Sequence, residues 1–244
     1  TNDNITSYTF SSTEGGTITI GGGCSSDNNT AVADNMTVSF AALPDGTYGG
    51  CTITVTDSAG NSITIYVNQF TIDTTAPVLA PVDNVTTPTS DNTSSYTFSS
   101  NEAGTITYGG SCSSSTTSAT ADNNTITFNA LADGTYSNCK ISVTDNASNT
   151  SDNLSVSSFT IDTTAPTLDN VTIASSNSAS ALAKTGDIIT LSITSAEAIQ
   201  APSVSIAGQA ATETGDNMTW SAVYTMASND SDNVSVSLSI SFSD

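Results

Sequence analysis

The chain has no histidine and no arginine, and its only basic side chains are Lys140 and Lys184. Against them stand 23 acidic residues, giving a formal net charge of −21. Without cations to displace counterions, the chain cannot neutralise a nucleic-acid backbone. An anionic membrane surface repels it for the same reason. Without histidine there is no Ser/His/Asp set, and no basic group stands ready for an oxyanion or a phosphate. Enzyme activity is therefore not expected. Lys140 is a poor candidate for an isopeptide crosslink, because its counterpart in the repeat described below is Thr52 and its strand parity faces outward. No apolar run approaches the length of a membrane span, so no membrane insertion is expected. No signal peptide stands at Thr1, as expected of a mature or interior piece.

Cysteine is scarce but ordered. Cys24 and Cys51 form one pair and Cys112 and Cys139 another, with the same spacing in each. Zinc-type CxxC spacing is absent, and a reactive thiol needs nearby cations that this chain lacks. Two disulfides, Cys24–Cys51 and Cys112–Cys139, are the natural reading. They imply an oxidising, extracellular or cell-surface setting.

Only 36% of the residues are hydrophobic, while Ser, Thr, Asn and Asp abound. Such a composition can signal disorder. Here, however, the apolar residues come in short alternating runs rich in Val, Ile, Thr, Phe and Tyr, the pattern of half-buried strands. The expected class is all-β.

The segment Phe70-Thr-Ile-Asp-Thr-Thr-Ala-Pro77 recurs unchanged at Phe159–Pro166. Each copy begins as a strand and ends at a proline that cannot continue a ladder. The copies lie about 89 residues apart, the size of an immunoglobulin-like sandwich domain. Flanking segments repeat as well: Ser7–Ser12 matches Ser95–Ser100, and Asp45-Gly-Thr-Tyr48 matches Asp133-Gly-Thr-Tyr136. One residue is inserted in the second copy after the Thr-Asp turn, where a hairpin loop tolerates it.

These features predict tandem immunoglobulin-like β-sandwich domains in an elongated array. The expected boundaries are 1–73, lacking a first strand; 74–162; and 163–244, a divergent subtype lacking its last strand. In the first domain the inward residues are Tyr8 and Phe10, Ile18 and Ile20, then Met36, Val38 and Phe40. Cys51, Ile53 and Val55 follow, then Ile63, Ile65 and Val67, then Phe70 and Ile72. The parity shift between Val67 and Phe70 reads as a bulge. Each disulfide should bridge the end of one strand to the start of its antiparallel neighbour. Tyr48 and Tyr136 stand where a tyrosine corner would tie a loop, with ordinary core packing as the competing reading. The third domain reads as strands Leu168–Ala174, Asp187–Thr194, Ser203–Ala207, Met218–Met226 and Val234–Phe242. Trp220 alternates with Ala222 and Tyr224 and reads as core.

The strand ends Thr-Val-Thr-Asp-Ser-Ala-Gly-Asn (54–61) and Val-Thr-Asp-Asn-Ala-Ser-Asn (143–149), each followed by Asp-Thr-Thr-Ala-Pro, resemble bacterial immunoglobulin-like repeats. Those repeats build giant surface adhesins and related extracellular rods. The third domain resembles a sister subtype through Thr-Gly-Asp-Ile-Ile-Thr-Leu (185–191) and Pro-Ser-Val-Ser-Ile-Ala-Gly (202–208). The resemblance implies a rod-like stalk whose partners are neighbouring domains of the same chain, with calcium stiffening the junctions.

Strand geometry supports junction sites independently. Asp73, at the end of the first domain, should approach Asp145 and Asn149 in a hairpin of the second, with Asp45 at the same junction. The next seam would gather Asp162, Asp133 and Asp244 by the same rule. Hard oxygen ligands of this kind suit Ca²⁺. The alternative is that each Asp simply bonds its own turn backbone.

Two further readings stay open. One is an extracellular filament whose copies donate strands to one another, pairing along Val234–Phe242. The other is a carbohydrate-binding module, for which the outward-facing Tyr66 would be a contact. Asn-x-Ser/Thr triplets are numerous, among them those at Asn35, Asn84, Asn123, Asn170 and Asn217. They permit glycosylation, although many arise by chance in such a composition.

Overall fold

A computed structural model describes residues 1–230 and 235–243. The described residues contain 24 strands and no helix. They divide into two compact units, Thr1–Thr163 and Thr164–Asp244.

The first unit holds two hydrophobic cores, one per repeat. In the second repeat, Ser95–Ser100 pairs antiparallel with Asp122–Thr127 on one edge and Leu79–Asp83 on the other. A facing sheet runs in the order Ser118–Ala119, Gly104–Gly109, Lys140–Thr144, Leu154–Ser155. Gly134–Tyr136 pairs with Phe159–Ile161. Side chains from all three sheets pool in one cluster, with Tyr96, Phe98, Phe128, Phe159 and Ile161 almost fully buried. Alternation does this directly: in Lys140-Ile-Ser-Val-Thr144, Ile141 and Val143 point into the core and Lys140 points to solvent. Gly104 opens its strand because a Cβ there would stand 2.4 Å from the Thr144 carbonyl oxygen. The first repeat has the same pairings, except that among the described residues Ser7–Ser12 pairs with Asp34–Ser39 alone, and it meets the same constraint at Gly16.

Both disulfides form, with Cα–Cα distances of 5.5 Å for Cys24–Cys51 and 5.2 Å for Cys112–Cys139. Gly21 pairs with Thr52 and Gly109 with Lys140, so each bridge lies just past the last rung of an antiparallel pair. The two tyrosine readings prove compatible. Tyr48 Oη donates to the Pro44 carbonyl at 2.7 Å and Tyr136 Oη to the Ala132 carbonyl at 2.9 Å. Their rings also stack on Phe70 and Phe159.

Two strand readings need correction. The parity shift between Val67 and Phe70 is not a bulge within one strand. Ser62–Tyr66 pairs with Thr52–Thr56, whereas Phe70–Ile72 pairs with Gly46–Tyr48, so the chain crosses between sheets there. Ile63 is not core: it is 70% exposed although it pairs with the buried Val55. It sits near the turn end of an edge strand, where nothing from the facing sheet covers it.

The second unit has a sheet ordered Leu168–Ser175, Ile188–Ser195, Thr219–Thr225, Thr212–Asp216, and a second ordered Gln209–Ala210, Ser203–Ile206, Leu238–Ser241. The short strands Gln209–Ala210 and Thr212–Asp216 were not expected. They follow a reversal at Ala207 and Gly208, both with positive φ. Trp220 packs against the core and donates its Nε1–H to the Asn217 carbonyl at 3.2 Å. The expected strand from Val234 begins outside the described residues, and pairing is seen from Leu238.

Candidate metal centre

Within the first unit, three acidic residues from three chain segments converge where the repeats meet. One ligand oxygen from each of Asp73, Glu102 and Asp145 lies within 4.8 Å of the others.

Each residue is placed by local chemistry. Asp73 follows Phe70–Ile72, the last strand of the first repeat, and its Oδ1 accepts from Thr75 N at 3.2 Å. Its own amide donates to the Thr1 carbonyl, as Asp162 N does to the Thr89 carbonyl. Glu102 lies in the turn between Ser95–Ser100 and Gly104–Gly109. The buried Ser100 hydroxyl pins that turn by donating to the Glu102 carbonyl at 2.6 Å. Asp145 opens a tight turn after Lys140–Thr144. Its Oδ1 accepts from Asn149 N at 2.9 Å, and Ser148 takes up φ +79°.

Asn149 knits the group together as a donor. Its Nδ2 gives one hydrogen bond to Asp145 Oδ2 and another to the Asp73 carbonyl oxygen, both at 2.8 Å. The second joins the two repeats. Asp57 and Asn61 form the same turn in the first repeat, with Asn61 Nδ2 donating to Asp57 Oδ2 at 2.8 Å.

The electrostatics are one-sided. Burial raises the Glu102 carboxyl above its ordinary pKa, and the charges of Asp73, Asp145 and Asp45 raise it further. Burial also pushes Asp145 up, but hydrogen bonds from the Asn149 side chain and neighbouring amides prevail and hold it below the usual range. Three carboxylates form a hard-oxygen donor set, the kind that takes Ca²⁺ rather than a soft metal. The set pairs no nucleophile with a base.

The other expected carboxylate ligands are outside this group of three. Asp45 clamps the connector instead: Oδ1 accepts from Thr74 N at 2.9 Å and Thr74 Oγ1 at 2.8 Å, and Oδ2 from Thr75 Oγ1 at 2.8 Å. These hydroxyls hold its pKa down, Thr75 most strongly. Asp133 repeats the clamp, accepting from Thr163 N at 3.0 Å and Thr163 Oγ1 at 2.7 Å. Asp162 ends its strand as Asp73 does, and Asp244 lies outside the described residues. Asn35, Asn84, Asn123, Asn170 and Asn217 are all exposed.

Glu102 is the residue that sequence reasoning missed. A signal existed: Ser-x-Glu occurs at Ser12–Glu14, Ser100–Glu102 and Ser195–Glu197 in a chain with only four glutamates. In all three, the serine hydroxyl donates to the glutamate carbonyl.

No family model and no curated protein matches this chain. Among solved structures, one with some similarity is SGBP-B from the Bacteroides ovatus mixed-linkage glucan utilization locus, in complex with a mixed-linkage heptasaccharide. The identity is 11%, over 93% of this chain and 66% of that one, with a TM-score of 0.17. A TM-score of that size carries no weight for fold or function.

Proposed function

We propose that the chain is a non-enzymatic extracellular segment, tandem immunoglobulin-like sandwiches that form part of the stalk of a bacterial-type surface adhesin, with Ca²⁺ stiffening the junction of the first two repeats. The observation that carries this reading is the convergence of Asp73, Glu102 and Asp145 between two repeats already joined by Asn149. Every charge acting on Glu102 there is negative, so a divalent cation would relieve the group. The two disulfides support an oxidising, extracytoplasmic location.

The test is calorimetric titration of Ca²⁺ into the chelator-treated chain, with thermal melts in Ca²⁺ and in EGTA. Extracellular modules of this kind bind with dissociation constants on the order of 10⁻⁴–10⁻³ M. Coincident melts together with no heat of binding would sink the calcium reading.

A second reading has its own support. Among the described residues, Leu238–Ser241 pairs only with Ser203–Ile206, whereas Thr52–Thr56 is flanked on both sides. Beside it lies a groove of about 560 Å³ lined by Ile173, Leu182, Ala183, Ile189, Val236 and Leu238. A strand donated by another copy would suit that edge, making the chain a filament subunit. Concentration-dependent assembly, abolished by a proline at Ile240, is its signature. A monomer at every concentration would argue against it.

A further inference from the structure

Eleven of the 22 asparagines directly follow an aspartate, and all eleven open an Asn-x-Ser/Thr triplet without proline. Of the eleven asparagines not preceded by aspartate, only Asn149 and Asn229 do so. About a third of the chain is Ser or Thr, so composition alone would fill about a third of the triplets in either group. The Asp-Asn pairs are therefore linked to the hydroxyl two residues on.

The structure divides the same two groups in another way. Ten of the Asp-preceded asparagines lie among the described residues, and all ten are exposed. Within that group only Asn28 has a side-chain hydrogen bond, its Oδ1 accepting from Thr30 N at 3.2 Å. The remaining asparagines are mostly spent on structure. Asn124 ties a turn through Thr120 and Asp122, Asn101 anchors Val78, Asn177 holds Asp187, and Asn149 joins the repeats.

A turn followed by an alternating strand accounts for the aspartates but not for the asparagines. Asp34 Oδ1 accepts from Asn35 N at 2.7 Å and Asp122 Oδ1 from Asn123 N at 2.8 Å, so the aspartate carboxylate makes the turn. Among the described residues, neither the Asn35 nor the Asn123 carboxamide makes a hydrogen bond. On the strands Asp34–Ser39 and Asp122–Thr127, period two then sets Asn35 with Thr37, and Asn123 with Thr125, on the solvent face.

We infer that the Asp-Asn-x-Ser/Thr asparagines are acceptor sites for N-linked glycan, added outside the cytoplasm. The donor is a lipid-linked sugar diphosphate acted on by a separate transferase. The asparagine Nδ2 forms a bond to the anomeric carbon, the bond from that carbon to the diphosphate oxygen breaks, and the lipid diphosphate leaves with the proton that Nδ2 gives up. Nothing is oxidised or reduced. The product covers a −21 chain with bulky neutral or polar groups, held on outward strand faces and turns.

The test is peptide mass spectrometry of the protein recovered from the cells that naturally make it, with the same chain produced in a bacterial cytoplasm as the unmodified standard. Sugar mass should appear on the peptides bearing Asn35, Asn84, Asn123, Asn170 and Asn217, and the half-buried Asn149 should remain bare. Two variants expressed in those cells, Thr37→Ala and Asn35→Gln, should each remove the sugar at Asn35 and leave the other sites loaded. Unmodified mass at all five peptides overturns the inference. So does sugar carried on Ser or Thr hydroxyls rather than on asparagine, or equal loading at Asn149.

Discussion

Asn149 Nδ2 and the Asp73 carbonyl oxygen are 2.8 Å apart and belong to different repeats. The same amide group bonds Asp145 Oδ2, so one side chain fixes both the turn it sits in and the strand end it reaches. Asn61 repeats the turn bond to Asp57. Asn149→Ala should therefore cost more than Asn61→Ala in chemical denaturation. About 1.5–3 kcal/mol is expected for the first and about 1 kcal/mol less for the second. Equal losses would mean the bond between repeats contributes nothing.

Glu102 separates binding from folding at the same place. Its charge opposes those of Asp73, Asp145 and Asp45. Glu102→Gln should thus leave the metal-free melting temperature unchanged or raised, while removing most of the calcium effect. With a dissociation constant on the order of 10⁻⁴–10⁻³ M, 10 mM Ca²⁺ stabilises by about 1.4–2.7 kcal/mol. That corresponds to roughly 3–10 °C for a chain of this size. An undiminished calcium shift in Glu102→Gln would place the ion elsewhere.

The strands and the seam were legible because their signals are local. Period-two runs such as Lys140–Thr144 and the copied Phe-Thr-Ile-Asp stretch need no knowledge of distant contacts, and neither did the disulfides. The approach of Asp73 to Asp145 and Asn149 was expected from the end of the repeat at which each loop was placed. What escaped depended on neighbours in space. Ile63 has the parity of a core residue but lacks a facing sheet to cover it. Asp45 was counted as a ligand, but its carboxylate accepts from the connector that follows its own repeat and is not one of the three that converge. Glu102 sits in a turn whose sequence looks like any polar loop, and only the Ser100 bond marks it as positioned.

Stability should depend on pH in two opposed ways. Thr75 and Thr74 hold Asp45 below its ordinary pKa, Asn61 holds Asp57 and Asn177 holds Asp187. Asp145 is also lowered, burial opposing and Asn149 prevailing. A depressed folded pKa contributes stability that is present above the unfolded value, about pH 4, and is lost as pH falls through the folded value. Glu102 has the opposite sign. Its raised pKa means the folded state binds the proton more readily than the unfolded one, so stability falls as pH rises from about 4.3 through the folded value. Denaturant midpoints in EGTA should drop steeply below pH 4 in both wild type and Glu102→Gln. Only the wild type should also lose stability with rising pH above about 4.3. Identical profiles for the two proteins would remove Glu102 from the cluster.

Two tyrosines of the second repeat should respond oppositely to loss of the hydroxyl. Tyr136 donates to the Ala132 carbonyl at 2.9 Å and stacks on Phe159, so Tyr136→Phe keeps the stack and gives up the bond that ties the loop. A cost of about 1 kcal/mol is expected. Tyr96 is 1% exposed, and its Oη is buried with no hydrogen-bond partner among the described residues. Burying an unpaired hydroxyl costs about 1–3 kcal/mol, and removing it also removes that penalty. Tyr96→Phe should therefore be neutral or stabilising by about 1 kcal/mol in the same denaturation assay. A loss of stability in Tyr96→Phe would show that its hydroxyl is bonded in solution, most simply to a buried water.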